Sequence, residues 1–380
     1  MLSTSEGFRV LDAVGRRLTG IAFEGPKPGH VVRHADRTVL FTDGTGQVTS
    51  FDPHDLAKGR PATSTYTSAS PHHGVAVEPE DGRPVSTLGT EEKRTGLIVL
   101  DGDRKEITRN EQCPGVHGEA TAKDEVVAVG CEDGVLVHKD GRITKAKSPT
   151  AYGRIGNRAG SDLSPVVLGD FKKDEDAELE RPRQASLINT TTGRTNLLDL
   201  GTGYTFRSLA RGPHGEGLVL GTDGRIHVID PEAGRVTGTI PVIGAWQEPL
   251  NWQRPYPALF VRDRTAYVTA PATGQVVEVR HEEHVLLAGD QAVDGGEPAG
   301  DTDGGTDRLR VGGQVVLAGM QVAGVGGEQR GKDLHGGGPA GAVGTEQCED
   351  GSGRDVRVDA VEDALLTVRP AQTHGGDRGR

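Results

Sequence analysis

Aromatic residues are scarce in this chain, at 4% of 380 residues, and Tyr267 is the last of them. So few large rings exclude a core built on aromatic layers and direct attention to Val, Ile and Leu. Cysteine is nearly absent, with three in the chain, which excludes a disulfide-dense scaffold and a four-thiolate metal site. No apolar run approaches 18 residues, so there is no candidate membrane helix. Residues 1–13, MLSTSEGFRVLDA, carry no charged segment followed by an apolar core and do not read as a signal peptide. Positive charge is in deficit: the formal net charge is -12 and the pI about 5.6, a field unsuited to nucleic acid or to anionic lipid. The sequence also lacks a Gly-x-Ser-x-Gly elbow, a phosphate-binding loop, a dinucleotide fingerprint and a His-Glu-x-x-His pair.

What the chain does have is glycine, 57 residues of it, and repetition. Residues 111–134, EQCPGVHGEATAKDEVVAVGCEDG, hold Cys113, His117 and Cys131 and end in the Asp133-Gly134 turn. Two earlier stretches share this layout: Pro71-His72-His73-Gly74 and Pro28-Gly29-His30. His30, His73 and His117 are spaced by 43 and 44 residues, and Asp-Gly turns recur at 43, 133 and 223. A period of 40–50 residues, carried by short runs of Val, Ile, Leu and Thr between turn residues, is the pattern of an all-β propeller. A four-stranded unit cannot cover both of its faces alone, so the units stack radially. The expected ring has about seven blades, about six of them complete. Residues 7–24 read as part of a first blade, and residues 206–240 are the clearest four-strand unit. The propeller is assigned to residues 1–288. Residues 289–380 are glycine-rich, without aromatics or a period of 2 or 3.6, and are read as a disordered tail because such a segment buries too little to offset its ordering entropy. Cys348 falls in that tail.

The innermost strand of each blade lines the axis. Histidines entering three successive inner strands therefore converge on one mouth of the axial channel. With His72 or Glu119 nearby, His30, His73 and His117 have the composition of a tetrahedral Zn²⁺ site. A single such histidine would more simply bond a strand-end carbonyl; three in register favour a site. Arg207, 90 residues beyond His117, shows that the ring is not lined by histidine all round. His34 and His54 are secondary candidates, and His281 and His284 flank a Glu-Glu pair at the edge of the ordered pattern. Because imidazole must be neutral to ligate, the ion is expected to be lost below about pH 6.

Cys113 and Cys131 bracket one hairpin. Its turn near Lys123-Asp124 sets Cys131 opposite residue 116, and Pro114-Gly115 lets the chain curl Cys113 back. A disulfide is the first reading of that spacing, ahead of thiolate ligation of the same metal.

The segments HHGVAV, EQCPGVHGEA, VAVGCEDGVLVH, YGRIG, DGRIHVID and RPYPALFV resemble the periplasmic zinc metallochaperones of the AztD type, over residues 5–285. The resemblance implies a propeller that binds Zn²⁺ and passes it to the solute-binding protein of a zinc ABC importer. It also implies an extracytoplasmic home, in which a Cys113–Cys131 disulfide would persist. Against that family this chain starts inside the ring and ends in the glycine-rich tail, the pattern of a truncated N-terminus and an altered C-terminus. The expected protein is a monomer and not an enzyme; the competing readings are a propeller lyase or dehydrogenase with catalytic channel histidines, and a metal-free scaffold.

Overall fold

A computed structural model describes residues 1–251 and 254–280, together with the backbone of 346–349 and 355–358. Seven antiparallel sheets follow one another along the chain as the blades of a β-propeller. The first has three strands, β1 (Leu2–Thr4), β2 (Gly7–Asp12) and β3 (Arg17–Glu24). Blade two has β4 (Pro28–His34), β5 (Arg37–Thr42), β6 (Gln47–Phe51) and β7 (Ser64–Thr67). Blade three has β8 (Ala76–Val77), β9 (Val85–Gly89), β10 (Arg94–Leu100) and β11 (Glu106–Asn110). Blade four has β12 (His117–Ala122), β13 (Val126–Cys131), β14 (Gly134–Lys139) and β15 (Arg142–Lys147). Blade five has β16 (Arg158–Ala159), β17 (Val166–Gly169), β18 (Gln184–Asn189) and β19 (Arg194–Asp199). Blade six has β20 (Leu209–Arg211), β21 (Gly217–Leu220), β22 (Arg225–Asp230) and β23 (Arg235–Pro241). Blade seven has β24 (Leu259–Arg262), β25 (Thr265–Ala270) and β26 (Gln275–Arg280). Five of the seven sheets are thus four-stranded, where about six were expected, because both end blades lack a strand among the described residues.

The middle strands explain why the sheets stack. β13 is buried along its whole length, as is β5 after its first residue, whereas the outer β23 alternates exposed and half-buried positions. The strands that read as near-continuous apolar runs have neighbouring blades on both faces; the alternating ones form the rim. Six apolar clusters fill the joints between successive blades. Phe8, Phe23 and Phe51 lie between blades one and two, and Val39, Phe41 and Ala76 between two and three. Val99, Val129 and Leu136 join three to four, Ala128, Ile155 and Ile188 four to five, Leu168, Tyr204 and Ile229 five to six, and Leu220, Ile226 and Val268 six to seven. Among the described residues no such cluster joins blade seven to blade one.

Two further strands, β27 (Glu346–Glu349) and β28 (Asp355–Val358), pair as a hairpin, and β28 runs beside β1. They fall inside the stretch expected to lack regular structure. The rest of that expectation, with Cys348's surroundings and with His281 and His284, lies outside what the structure describes.

Candidate metal centre

Three inner-strand entrances carry the site. His30 is on β4, His73 lies just before β8, and His117 opens β12. In β4 the pairing register shifts between Pro28 and Val31, and in β12 between His117 and Ala120. An irregularity of this kind re-aims the side chain it contains. Each histidine also has a glycine neighbour. Gly118 has φ +60°, and a Cβ there would stand 2.6 Å from Arg158 Nη2; a Cβ on Gly29 would fall 2.1 Å from Asp43 Oδ1. The Gly-His and His-Gly pairs in the sequence are therefore a packing requirement of the crowded mouth.

The three rings meet. Ring centroids are 5.1 Å apart for His30–His73, 5.6 Å for His30–His117 and 5.3 Å for His73–His117. One ring nitrogen from each lies within 4.8 Å of the others. His117 is 6% exposed, and the side chains of His30 and His73 are 16% and 30% exposed, so the cluster is open on the His73 side. Two of the rings are held by their Nδ1 atoms. His117 Nδ1 donates to the Gly156 carbonyl at 2.9 Å, and His73 Nδ1 meets Asp43 Oδ2 at 2.6 Å. Asp43 Oδ1 accepts the Gly74 amide at 3.3 Å, which holds the carboxylate in place. With their Nδ1 atoms so engaged, both rings present Nε2 inward, and both Nε2 atoms are buried without a hydrogen-bond partner. A buried lone pair with no donor is costly unless something else fills that role. A carboxylate or carbonyl behind the ring and a bare nitrogen in front is the arrangement metal-ligating histidines have.

Burial and proximity disfavour the charged form of His30 and His117. Desolvation, reinforced by His73, Arg158 and Arg94, pulls His30 down to about 3. Desolvation and the two other histidines hold His117 well below the ordinary imidazole range, against the opposing hydrogen bond to Gly156. Neutral imidazoles crowded into a dry mouth can accept a soft divalent cation and resist protonation. Glu119 lies at the edge, its Oε2 4.0 Å from His30 Nδ1.

His72 is not part of this group. Its Nδ1 meets the Ser70 carbonyl at 2.9 Å and its Nε2 meets Thr87 Oγ1 at 3.1 Å, while its ring packs edge-on against Phe41. The chain bends at His73, and of the pair only its ring joins the other two histidines. His34 pairs with Glu125 at 2.8 Å, and His54 with Asp52 at 2.9 Å on the surface. Arg207 lies over the rings of Phe206 and Tyr256. Cys113 and Cys131 form a disulfide with Cα atoms 5.0 Å apart, which removes both thiols from consideration as ligands. The His117–Gly130 pair places Cys131 one step beyond, opposite residue 116, as the hairpin reading required.

The partners behind the histidines were not read from the sequence. Asp43 was visible only as the first half of a turn, although the Asp-Gly turns were the signal of the repeat. The Gly156 carbonyl lies in the YGRIG segment, but nothing there marked it as a partner of His117. Arg158 also stands at the mouth, its Nη2 on the His117 carbonyl, and nothing in its spacing announced it.

No family model matches the chain. Its sequence is 24% identical over 278 residues to the zinc chaperone AztD of Citrobacter koseri, covering 70% of this chain and 63% of that protein's length. The structure of apo AztD from the same organism superposes with a TM-score of 0.60 at 23% identity, covering 70% of this chain and 72% of that one. A second crystal structure of Citrobacter koseri AztD matches with the same TM-score and identity over 71% of its chain. The chain thus spans just under two thirds of its relative, and what it is similar to, in sequence and in fold, is the zinc chaperone AztD.

Proposed function

We propose that this protein is a non-enzymatic zinc chaperone that carries Zn²⁺ on His30, His73 and His117, with Glu119 as the fourth ligand, and passes it to the solute-binding protein of a zinc ABC importer outside the cytoplasm. The observation that carries this reading is the pair of buried, unpartnered Nε2 atoms of His73 and His117, aimed into a group whose ligand nitrogens lie within 4.8 Å. Zn–N bonds of roughly 2.0–2.1 Å in a tetrahedral shell require those nitrogens to close by up to about 1.5 Å on loading. Similarity to a zinc chaperone supports the identity of the cargo, and the disulfide supports an oxidising compartment.

Transfer proceeds by ligand exchange. His73 is the most exposed of the three and the least enclosed by protein, so an incoming acceptor group displaces it first and His117 last. The ion stays coordinated throughout. The test is elemental analysis of chelator-washed, zinc-reloaded protein, beside the His117→Ala variant. One tightly held zinc per chain, lost in the variant while the melting temperature stays within a few degrees, is the expected result. Equal zinc in both proteins would refute the assignment.

A further inference from the structure

A second concave site opens away from the histidines, between the loop that precedes β18, the entrance to β20 and the chain that leads into β24. Its volume is about 270 Å³, and Arg181, Arg183, Tyr204, Thr222, Trp246 and Glu248 line it. Main-chain hydrogen bonds tie its walls together. Thr222 donates to the Gly203 carbonyl at 2.7 Å, Trp246 to that of Thr222 at 2.8 Å, and Tyr204 to that of Pro182 at 3.2 Å. A space framed this way is preformed, as ligand sites usually are. Trp246 Nε1 donates to the Gly221 carbonyl at 3.0 Å, and Tyr256 lies nearly parallel to the indole at 6.3 Å. With its one polar atom satisfied, the indole offers the cleft its apolar ring.

Glu248 is the group that needs an explanation. It is 6% exposed, and among the described residues its carboxylate has neither a hydrogen bond nor an ion pair. Arg181 reaches the main-chain carbonyl of Glu248 instead, from Nη2 at 3.1 Å. Burial pushes the carboxyl up, and the charges of Lys172 and Arg181 oppose this only in part. A buried carboxylate without a partner is costly unless a cation reaches it. At the rim, Arg183 places Nη2 on the Gly201 carbonyl at 2.6 Å. Arg181 and Arg183 are both exposed, and each spends one terminal nitrogen on a carbonyl and keeps the other donors of its fork. A plain anion in this cleft would meet Glu248, and a plain cation would meet two guanidinium groups. A molecule with both charges suits both ends.

We propose that this cleft binds a small zwitterion of the free α-amino acid class, with its ammonium on Glu248, its carboxylate on Arg181 and Arg183, and its side chain along Trp246. The ammonium supplies the partner the buried carboxylate lacks, and the guanidinium forks match the geometry of a carboxylate. The indole face adds attraction for the cationic end and apolar contact for the rest.

The test uses the full chain and no zinc. None of these residues holds the three histidines, so a failure of the zinc reading leaves this site standing. L-leucine and L-phenylalanine are titrated calorimetrically, each beside its two half-molecules. Isoamylamine and phenethylamine lack the carboxylate; isocaproate and hydrocinnamate lack the ammonium. Saturation by at least one of the amino acids below about 10 mM is expected, with both of its half-molecules weaker by about tenfold or more. Glu248→Gln should weaken the amino acid by about tenfold and bind the deaminated acid no worse than the native chain does. Arg181→Gln combined with Arg183→Gln should weaken the amino acid and leave the amine unaffected. Absence of saturation by either amino acid would overturn the proposal. So would a half-molecule that binds as tightly as its parent, or equal affinity in native protein and folded Glu248→Gln. The half-molecule comparison needs no variant and decides the matter even if Glu248→Gln does not fold.

Discussion

Two of the metal-site histidines, His73 and His117, are held from behind. The Asp43 carboxylate on His73 Nδ1 fixes the tautomer and the ring orientation, leaving Nε2 to ligate. Asp43→Asn should therefore weaken zinc binding by about 10–100-fold, measured in competition with a chromophoric chelator, with little change in the melting curve. The depressed histidines alter the pH range as well. Their folded values lie below the unfolded value near 6.5, so at high pH they make no pH-dependent contribution. As pH falls from 6.5 toward about 3 the unfolded chain takes up protons that folded His30 refuses, and stability is lost through that window. At pH 5 the metal-free protein should be less stable than at pH 7.5 by about 2 kcal/mol from His30 alone, read from denaturant midpoints. In the folded protein the same depression keeps His30 and His117 neutral, so zinc should be retained on them below pH 6, where ordinary histidines would release it. Release at pH 6 in a pH-stepped dialysis would show that the rings are more solvated than their burial implies.

At the level of elements, the entrance to β12 is held three ways. The disulfide ties Cys113 to the end of β13, Gly115 donates to the Arg94 carbonyl at 3.1 Å, and Arg158 caps the His117 carbonyl from blade five. The disulfide spans 18 residues, so its removal by Cys113→Ala with Cys131→Ala should cost about 3 kcal/mol. It should lower zinc affinity too, because His117 loses its tether; melting and zinc titration of the double variant check both. Arg158→Met keeps bulk but strands two buried carbonyls. It should cost about 2–4 kcal/mol in thermal or chemical unfolding.

For the whole molecule, the consequential feature is the uneven ring. Apolar clusters join blades one through seven in sequence, and among the described residues none closes seven onto one. Blades stacked like this behave as a chain of nearest-neighbour contacts, weakest where a neighbour is missing. Hydrogen exchange followed by mass spectrometry should show β13, β17 and β18 as the slowest to exchange, and blades one and seven as the fastest, by two orders of magnitude or more. Uniform protection around the ring would mean that the two end blades meet.

The period of His30, His73 and His117, the Asp-Gly turns and the apolar runs carried the propeller in the sequence. They could do so because each blade is a local unit whose pattern repeats with the chain. The Cys113–Cys131 pairing was legible for the same reason: both ends belong to one hairpin. The choice between His72 and His73 was not, since it turns on which of two adjacent side chains faces the axis. Only the packed structure decides that, by placing Ser70, Thr87 and Phe41 around one ring and Asp43 behind the other. Asp43 and His73 are 30 residues apart, and His117 and Gly156 are 39 apart. Such pairs exist only once blades are stacked, because radial packing sets Asp43, just past the second strand of blade two, against the entrance of blade three, and the entrance of blade four against that of blade five. Sequence set the repeat and the ligand types; tertiary packing decided which nitrogens face inward, which are neutral, and which arginine stands beside them.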